Sequence, residues 1–338
     1  VSDLDLAQAR QRVDALLERH LADKRARLAG VDGIGDILDA VEGLTRRGGK
    51  RVRPALVLAG HAAVAPIADL AALDRAAAAF ELLQTYLLIQ DDWMDGDDVR
   101  RGGPSAHALL RTRITPAHRA DSVAILASDL ASADAWALLA EAEFPPDRVR
   151  RALQAFAQIH EEVVLGQYLD VVASPDVERI HLWKTAGYTV RGPLMIGAIL
   201  GGGSAAAEAA LDAWARPIGV AFQMRDDLLG TFGDPAVTGK PAGNDLRQGK
   251  ETVLVARARG RPELWARLGE VLGRVDASDA DVAAATAALE AAGVRAEVET
   301  ELRRRVAEAA AALVGAPLRP EGVRALGALA EALTSRSA

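Results

Sequence analysis

The chain has no cysteine, so disulfides, thiolate metal centres and thiol nucleophiles are excluded. It carries no basic excess. A formal net charge of −7 argues against general affinity for nucleic acid. No stretch of about 18 or more apolar residues runs without a charge, which argues against an ordinary transmembrane helix. The opening Val1-Ser2-Asp3-Leu4 is acidic and polar rather than signal-like, and a cytoplasmic protein is expected. A Walker A pattern, strand alternation and internal repeats are all missing. Aromatic residues make up only 4% of the sequence although 50% is hydrophobic, and alanine dominates that apolar set. Alanine and leucine are the best helix formers, so the expectation is an all-α protein with closely packed helices.

Helical periodicity is expected over residues 3–29, with Leu6, Val13, Leu16, Leu17 and Leu21 on one face. Arg46 to Pro54 reads as a glycine-and-cation loop before a helix near 55–65. Residues 70–94 are almost wholly apolar until Gln90, the pattern of a buried central helix. A charged turn is expected over Gly96 to His107, and helices over 119–142 and 146–172. Residues 177–200 read as a helix interrupted by Gly187 and Gly192-Pro193, and residues 205–231 as another helix. A loop is expected from Thr231 to Glu251, then four alanine-rich segments. No linker divides the 338 residues, so one domain is expected over 1–338.

Two aspartate clusters stand on otherwise apolar helices: Asp91-Asp92-Trp93-Met94-Asp95 and Asp226-Asp227. Carboxylates are rarely placed there unless paired or metal-bound. Residues four apart share a helix face, so Asp91 and Asp95 project together, with Asp92 about 100° away. Such an oxygen pair suits Mg²⁺, which keeps water and is commonly shared with substrate phosphates. A solvated acidic helix end is the alternative. Arg100 and Arg101 follow at once, and Lys50 and Arg53 lie near Gly48-Gly49. Arginine offers bidentate donors to phosphate, and glycine lets backbone approach an anion. The second cluster is weaker, because Gly230 stands four residues after Asp226. Asp234 could supply the missing acid only if the chain turns back. Lys240 and Lys250 could neutralise a leaving diphosphate, and Gln223 lies one turn before the aspartates. Each of these has a plain surface or packing role as its alternative.

Taken together, Gly-Gly-Lys-Arg-Val-Arg-Pro (48–54), the first acidic motif with Arg-Arg-Gly-Gly-Pro-Ser-Ala-His (100–107), Gly-Gln-Tyr-Leu-Asp (166–170), Lys184-Thr185, Phe-Gln-Met-Arg-Asp-Asp (222–227), Gly-Asp (233–234), Gly-Lys (239–240) and Asp-Leu-Arg-Gln-Gly-Lys (245–250) resemble the trans-isoprenyl diphosphate synthases. The match covers about 200 residues in order and spacing. The resemblance implies an isoprenoid-synthase-type helical bundle around a central cavity, a homodimer, and Mg²⁺-dependent condensation of isopentenyl diphosphate with an allylic diphosphate. It implies that Asp91 and Asp95 hold two Mg²⁺ ions and Asp226 a third, with Asp92 and Asp227 in support. It assigns Lys50, Arg53, Gln84 and Arg101 to isopentenyl diphosphate. Arg100, Lys184, Lys240 and Lys250 fall to the allylic diphosphate, and Thr185 and Gln223 to the allylic cation. Gln84 stands where many bacterial members have histidine, Ser128-Asp129 where Gly-Asp is usual, and Gly230 where the third acid of the second motif is usual.

In this family the residues just before the first motif floor the chain pocket. Tyr86 with Leu87 resembles the geranylgeranyl (C20) type, with the farnesyl (C15) type next and longer products if Leu83 or a partner-subunit residue is the floor. A class I terpene cyclase would need an Asn/Asp-x-x-Ser/Thr-x-x-x-Glu second site and no isopentenyl site. A regulatory subunit would have eroded acidic motifs. A di-iron bundle would need Glu-x-x-His pairs, which His160-Glu161-Glu162 does not supply.

Overall fold

The computed structural model describes residues 6–233 and 243–334. The protein is all-α, as its composition leads one to expect. In chain order the helices are α1 Leu6–Arg27, α2 Gly35–Arg46, α3 Val52–Val64, α4 Leu70–Asp95, α5 Ala106–Arg111, α6 Ala117–Ala140, α7 Pro146–Val171 and α8 Val177–Ile180. A π-helix follows over His181–Arg191. Then come α9 Gly192–Gly201, α10 Ala205–Phe232, α11 Asn244–Arg247, α12 Val253–Arg259, α13 Pro262–Leu268, α14 Asp279–Ala291, α15 Val294–Ala312 and α16 Pro320–Thr334. Chain contacts fall into two compact units. Unit one is Val1–Ala157, Gly192–Glu208 and Pro317–Ala325; unit two is Gln158–Arg191, Ala209–Ala316 and Leu326–Ala338.

Unit one is organised around α4. Asp69 caps its start, accepting hydrogen bonds from the Ala71 and Ala72 amides, and left-handed Gly96 ends it. Ala76, Ala77, Ala78, Ala79, Phe80, Leu82 and Leu83 are all fully buried, as an all-round apolar helix requires. The small residues act through backbone contact. A Cβ on Gly60 of α3 would lie 2.0 Å from the Leu194 carbonyl oxygen, and one on Gly197 of α9 would lie 2.0 Å from the Val57 carbonyl oxygen. Glycine is therefore obligatory where α3 and α9 cross. Phe80, Trp136 and Phe156 complete the core with edge-to-face contacts.

Unit two packs Val220, Met224 and Leu228 of α10 against Leu254, Leu268, Leu289 and Val298. Gly219 lies against Ala186, so close that a Cβ there would meet the Ala186 Cβ at 2.4 Å.

The sequence left residues 30–45 unassigned, and three expectations are corrected. Residues 35–46 form α2, whose Leu38, Val41 and Leu44 are buried at helical spacing. The turn after Gly96 contains a two-stranded antiparallel hairpin, Val99–Arg100 against Gly103–Pro104, and is followed by α5. Strands of two residues are too short to show alternation. The interrupted helix over 177–200 becomes α8, the π-helix and α9. Five helices, not four segments, follow residue 252 among the described residues.

Candidate active site

In unit one, Asp91, Asp92 and Asp95 occupy the last turn of α4, where no basic residue of the helix itself offsets them. The negative end of the helix dipole disfavours carboxylates there, so the local charge rule is broken at this place. The compensating cation comes from the hairpin. Arg100 forms an ion pair with Asp92 and reaches Asp91 and Asp97, each at 3.4 Å. Asp92 is 0% exposed. Burial, opposed by Arg100 and reinforced by Asp91 and Asp97, raises its pKa to about 6. Asp92 thus braces Arg100 from within. Asp91 stays half-buried and Asp95 exposed on the neighbouring face.

The hairpin also meets the glycine loop. Arg47 Nη1 donates to the Arg100 carbonyl at 2.9 Å. A Cβ on Gly49 would lie 3.0 Å from Arg101 Nη2, so the glycine lets the guanidinium lie against the backbone. Arg101 has a left-handed φ of 53°. Desolvation by its surroundings, together with the like charges of Arg51, Arg53 and Arg100, lowers its pKa against the pull of Glu81, although the side chain keeps contact with solvent. Cations crowded until they disfavour one another fit an anion-binding site. Lys50 is exposed beside this cluster, and Arg53 sits in the first turn of α3. Gln84 is buried on α4, one turn beyond Glu81.

Tyr86 is buried and Leu87 half-buried on the same helix. Burial and the nearby Asp129 raise the Tyr86 pKa, while a hydrogen bond with Gln90 lowers it. Gln90 Nε2 donates to Ser128 Oγ at 3.2 Å, so Tyr86 belongs to a polar network between α4 and α6.

In unit two, Lys184 and Thr185 lie half-buried on the π-helix, a rare form that is frequent at functional positions. Lys184 Nζ donates to Asp170 of the Gly-Gln-Tyr-Leu-Asp motif. Gly166 of that motif lets α7 touch the π-helix, since a Cβ there would lie 2.5 Å from the Lys184 amide nitrogen. Asp227 is buried and accepts from Gln223 Nε2 at 2.8 Å and from the Val253 amide at 2.9 Å. That bond fixes which end of the Gln223 amide is committed. Asp226, its neighbour, is half-buried. A Cβ on Gly230 would lie 1.9 Å from Asp245 Oδ2, so the carboxylate of Asp245 fills the space beside Gly230. Lys250 is exposed, and its amide donates to the Asp245 carbonyl at 3.0 Å. Lys240 and Asp234 lie outside the described residues.

Among the described residues no three histidine, aspartate or glutamate side chains converge as a preformed metal cage. The donors that are present still fit Mg²⁺. They are carboxylate oxygens, accessible at Asp91, Asp95 and Asp226, and Mg²⁺ takes only one or two such groups together with water and phosphate.

The sequence assigned no role to Arg51 and Asp245, although both lie in its motifs, and it passed over Glu81. Glu81, a carboxylate in the apolar run of α4, was the available signal, because a buried acid requires a partner.

Residues 36–289 match the family model described as polyprenyl synthetase. A short chain isoprenyl diphosphate synthase of Methanothermobacter thermautotrophicus is 35% identical over 271 residues, 76% of this chain and 78% of that protein. A (2E,6E)-farnesyl diphosphate synthase of Mycobacterium tuberculosis is 35% identical over 287 residues, 80% of this chain and 76% of that one. Among solved structures, geranylgeranyl pyrophosphate synthase from Corynebacterium glutamicum, complexed with isoprenyl diphosphate and magnesium, superposes with a TM-score of 0.90 at 34% identity. The match covers 99% of this chain and 100% of that one.

Proposed function

The chain belongs to the polyprenyl synthetase family, whose members are prenyltransferases, and from that premise we propose that it joins isopentenyl diphosphate 1′-4 to an allylic diphosphate to give geranylgeranyl diphosphate, C20. Prenyl chain elongation is the family's activity; the product length is our reading. One observation supports the site assignment: Arg100 and Arg101 interleave with the Asp91–Asp95 motif and the Gly49 loop, an arrangement suited to an anion beside carboxylate oxygens that could take a metal.

On this reading Asp91, Asp95 and Asp226 hold Mg²⁺, with Asp92 and Asp227 in support. When bound, Mg²⁺ neutralises the charge that develops on the leaving diphosphate. Lys50, Arg53, Gln84 and Arg101 hold isopentenyl diphosphate. Arg100 and Lys184, with Lys240 and Lys250, hold the allylic diphosphate. Arg100 is oriented for this by Asp92, and Lys184 by Asp170. Both cations stabilise the departing anion as the C–O bond ionises. The hydroxyl of Thr185 and the carbonyl oxygen of Gln223 stabilise the allylic cation. The isopentenyl double bond attacks that cation, and the proton lost goes to the diphosphate, so no side-chain base is needed.

Tyr86 and Leu87 set the chain length. Tyr86→Ala is expected to lengthen the product by at least one five-carbon unit, read by mass spectrometry of the dephosphorylated alcohols. An unchanged product would assign Tyr86 to the Gln90–Ser128 network alone. The reaction itself is tested by supplying isopentenyl diphosphate with C5, C10 and C15 primers and Mg²⁺. C20 is expected, C15 would mark a farnesyl synthase, and failure to consume isopentenyl diphosphate would remove the condensation reading.

The working unit in this proposal is a cytoplasmic homodimer. Helix α6 supports it. By length and composition α6 is apolar enough to cross a membrane, yet half of that window is buried within the protein, and Ile125 and Leu126 stay exposed on it. A partner subunit is the occupant that fits such a face.

A further inference from the structure

Arg51 stands between Lys50 and Arg53, but its side chain serves a different purpose. Its backbone is left-handed, with φ 50°, a conformation that residues with a Cβ seldom adopt. Its guanidinium is buried, at 3% side-chain exposure. Three neighbours use it. Nε donates to Asp14 of α1 at 2.8 Å, Nη1 pairs with Glu81 of α4, and Nη2 donates to the Thr45 carbonyl of α2 at 3.2 Å. The next residue, Val52, begins α3. Gly48 closes the loop over this group, with the site of its missing Cβ 3.7 Å from Arg51 Nη2. One side chain therefore ties the loop to three helices at the point where a fourth begins.

We propose that Arg51 is a positioning residue, whose buried guanidinium fixes loop 48–53 so that Lys50 and Arg53 meet the isopentenyl diphosphate already in place. A bidentate fork held by carboxylates on separate helices is rigid, and a preformed site loses less freedom on binding. Lysine would keep the charge but lose the fork. The inference rests on the assignment of Lys50 and Arg53 to isopentenyl diphosphate.

Three variants separate the possibilities. Arg51→Gly keeps the backbone conformation available and removes the fork. Asp14→Asn weakens the most exposed arm of the strut, and otherwise removes only the charge of a long, exposed pair with Arg10 at 3.7 Å. Lys50→Ala tests the underlying site. Steady-state kinetics are measured with each substrate varied at saturating levels of the other, and thermal melting is followed in parallel. Arg51→Gly is expected to raise KM for isopentenyl diphosphate on the order of tenfold, leaving KM for the allylic primer and kcat within about twofold. Asp14→Asn is expected to move the same parameter, by less. An unchanged isopentenyl KM in folded Arg51→Gly would overturn the proposal, as would an equal rise for both substrates. Should Arg51→Gly fail to fold, Asp14→Asn decides, and an unchanged isopentenyl KM there is likewise contrary. If Lys50→Ala leaves that KM unmoved, the site assignment has failed. If Lys50→Ala raises it and the Arg51 and Asp14 variants do not, only the positioning role has failed.

Discussion

Asp91→Ala is expected to lower turnover by about 10²–10³-fold without unfolding the protein. The two halves of that expectation have separate causes. Asp91 is half-buried, and its ion pair with Arg100 is long, at 3.4 Å, because the closer partner of Arg100 is Asp92. A screened contact of that kind contributes at most about 1 kcal/mol. Its removal also relieves repulsion among carboxylates at the negative end of α4. Stability should therefore change little, while a metal-holding oxygen is lost. Melting temperature and turnover measured on the same preparation check this. Turnover within about fivefold of the parent would contradict the metal assignment.

The second expectation concerns Gly230 and runs against simple motif repair. The first acidic motif has an aspartate four residues after Asp91, and the second has Gly230 four residues after Asp226. Restoring the acid with Gly230→Asp is expected to harm the enzyme. Replacing a helical glycine with aspartate, which ranks just above it as a helix former, gains only about a few tenths of a kcal/mol. Against this, the new Cβ would stand 1.9 Å from Asp245 Oδ2, and a second carboxylate would face the first. Overpacking of that kind costs about 1–3 kcal/mol before the like charges are counted, so the clash wins. A lower melting temperature and reduced activity follow. Gly230→Ala isolates the steric part. The double variant Gly230→Asp with Asp245→Gly should recover much of the loss, because it exchanges which chain segment supplies the carboxylate. Activity of Gly230→Asp equal to or above the parent would show that Asp245 does not hold that space.

Much of this was legible in the residues, for identifiable reasons. Asp69 as a cap, a mostly apolar run and Gly96 as a stop bracket α4 in the sequence as they do in the fold. The Asp91–Asp95 spacing and the Lys184-Thr185 pair lie on helical backbone, so their placement follows from local geometry. What stayed hidden depends on contacts distant in sequence. Nothing near Arg51 announces that Asp14 and Glu81 will draw it inward, while Lys50 beside it stays exposed. Gly230 reads as a missing acid until Asp245 is placed beside it. The π-helix is approached closely by glycines of two other helices, Gly166 at the Lys184 backbone and Gly219 at Ala186. Such approaches leave no periodic trace. Helix α2 is a different case, since Leu38, Val41 and Leu44 carried a readable pattern.

The central claim is that the aspartates of both motifs bind diphosphate through magnesium. Calorimetric titration with an unreactive thiolo analogue of an allylic diphosphate tests it most directly. With Mg²⁺ present the account predicts tight binding and uptake of about three ions per chain, with carboxylate, water and phosphate oxygens as ligands. Binding should weaken severely in a chelator, and in Asp91→Ala and Asp226→Ala separately. Equal affinity with chelator and with Mg²⁺, or parental affinity in Asp226→Ala, would contradict it.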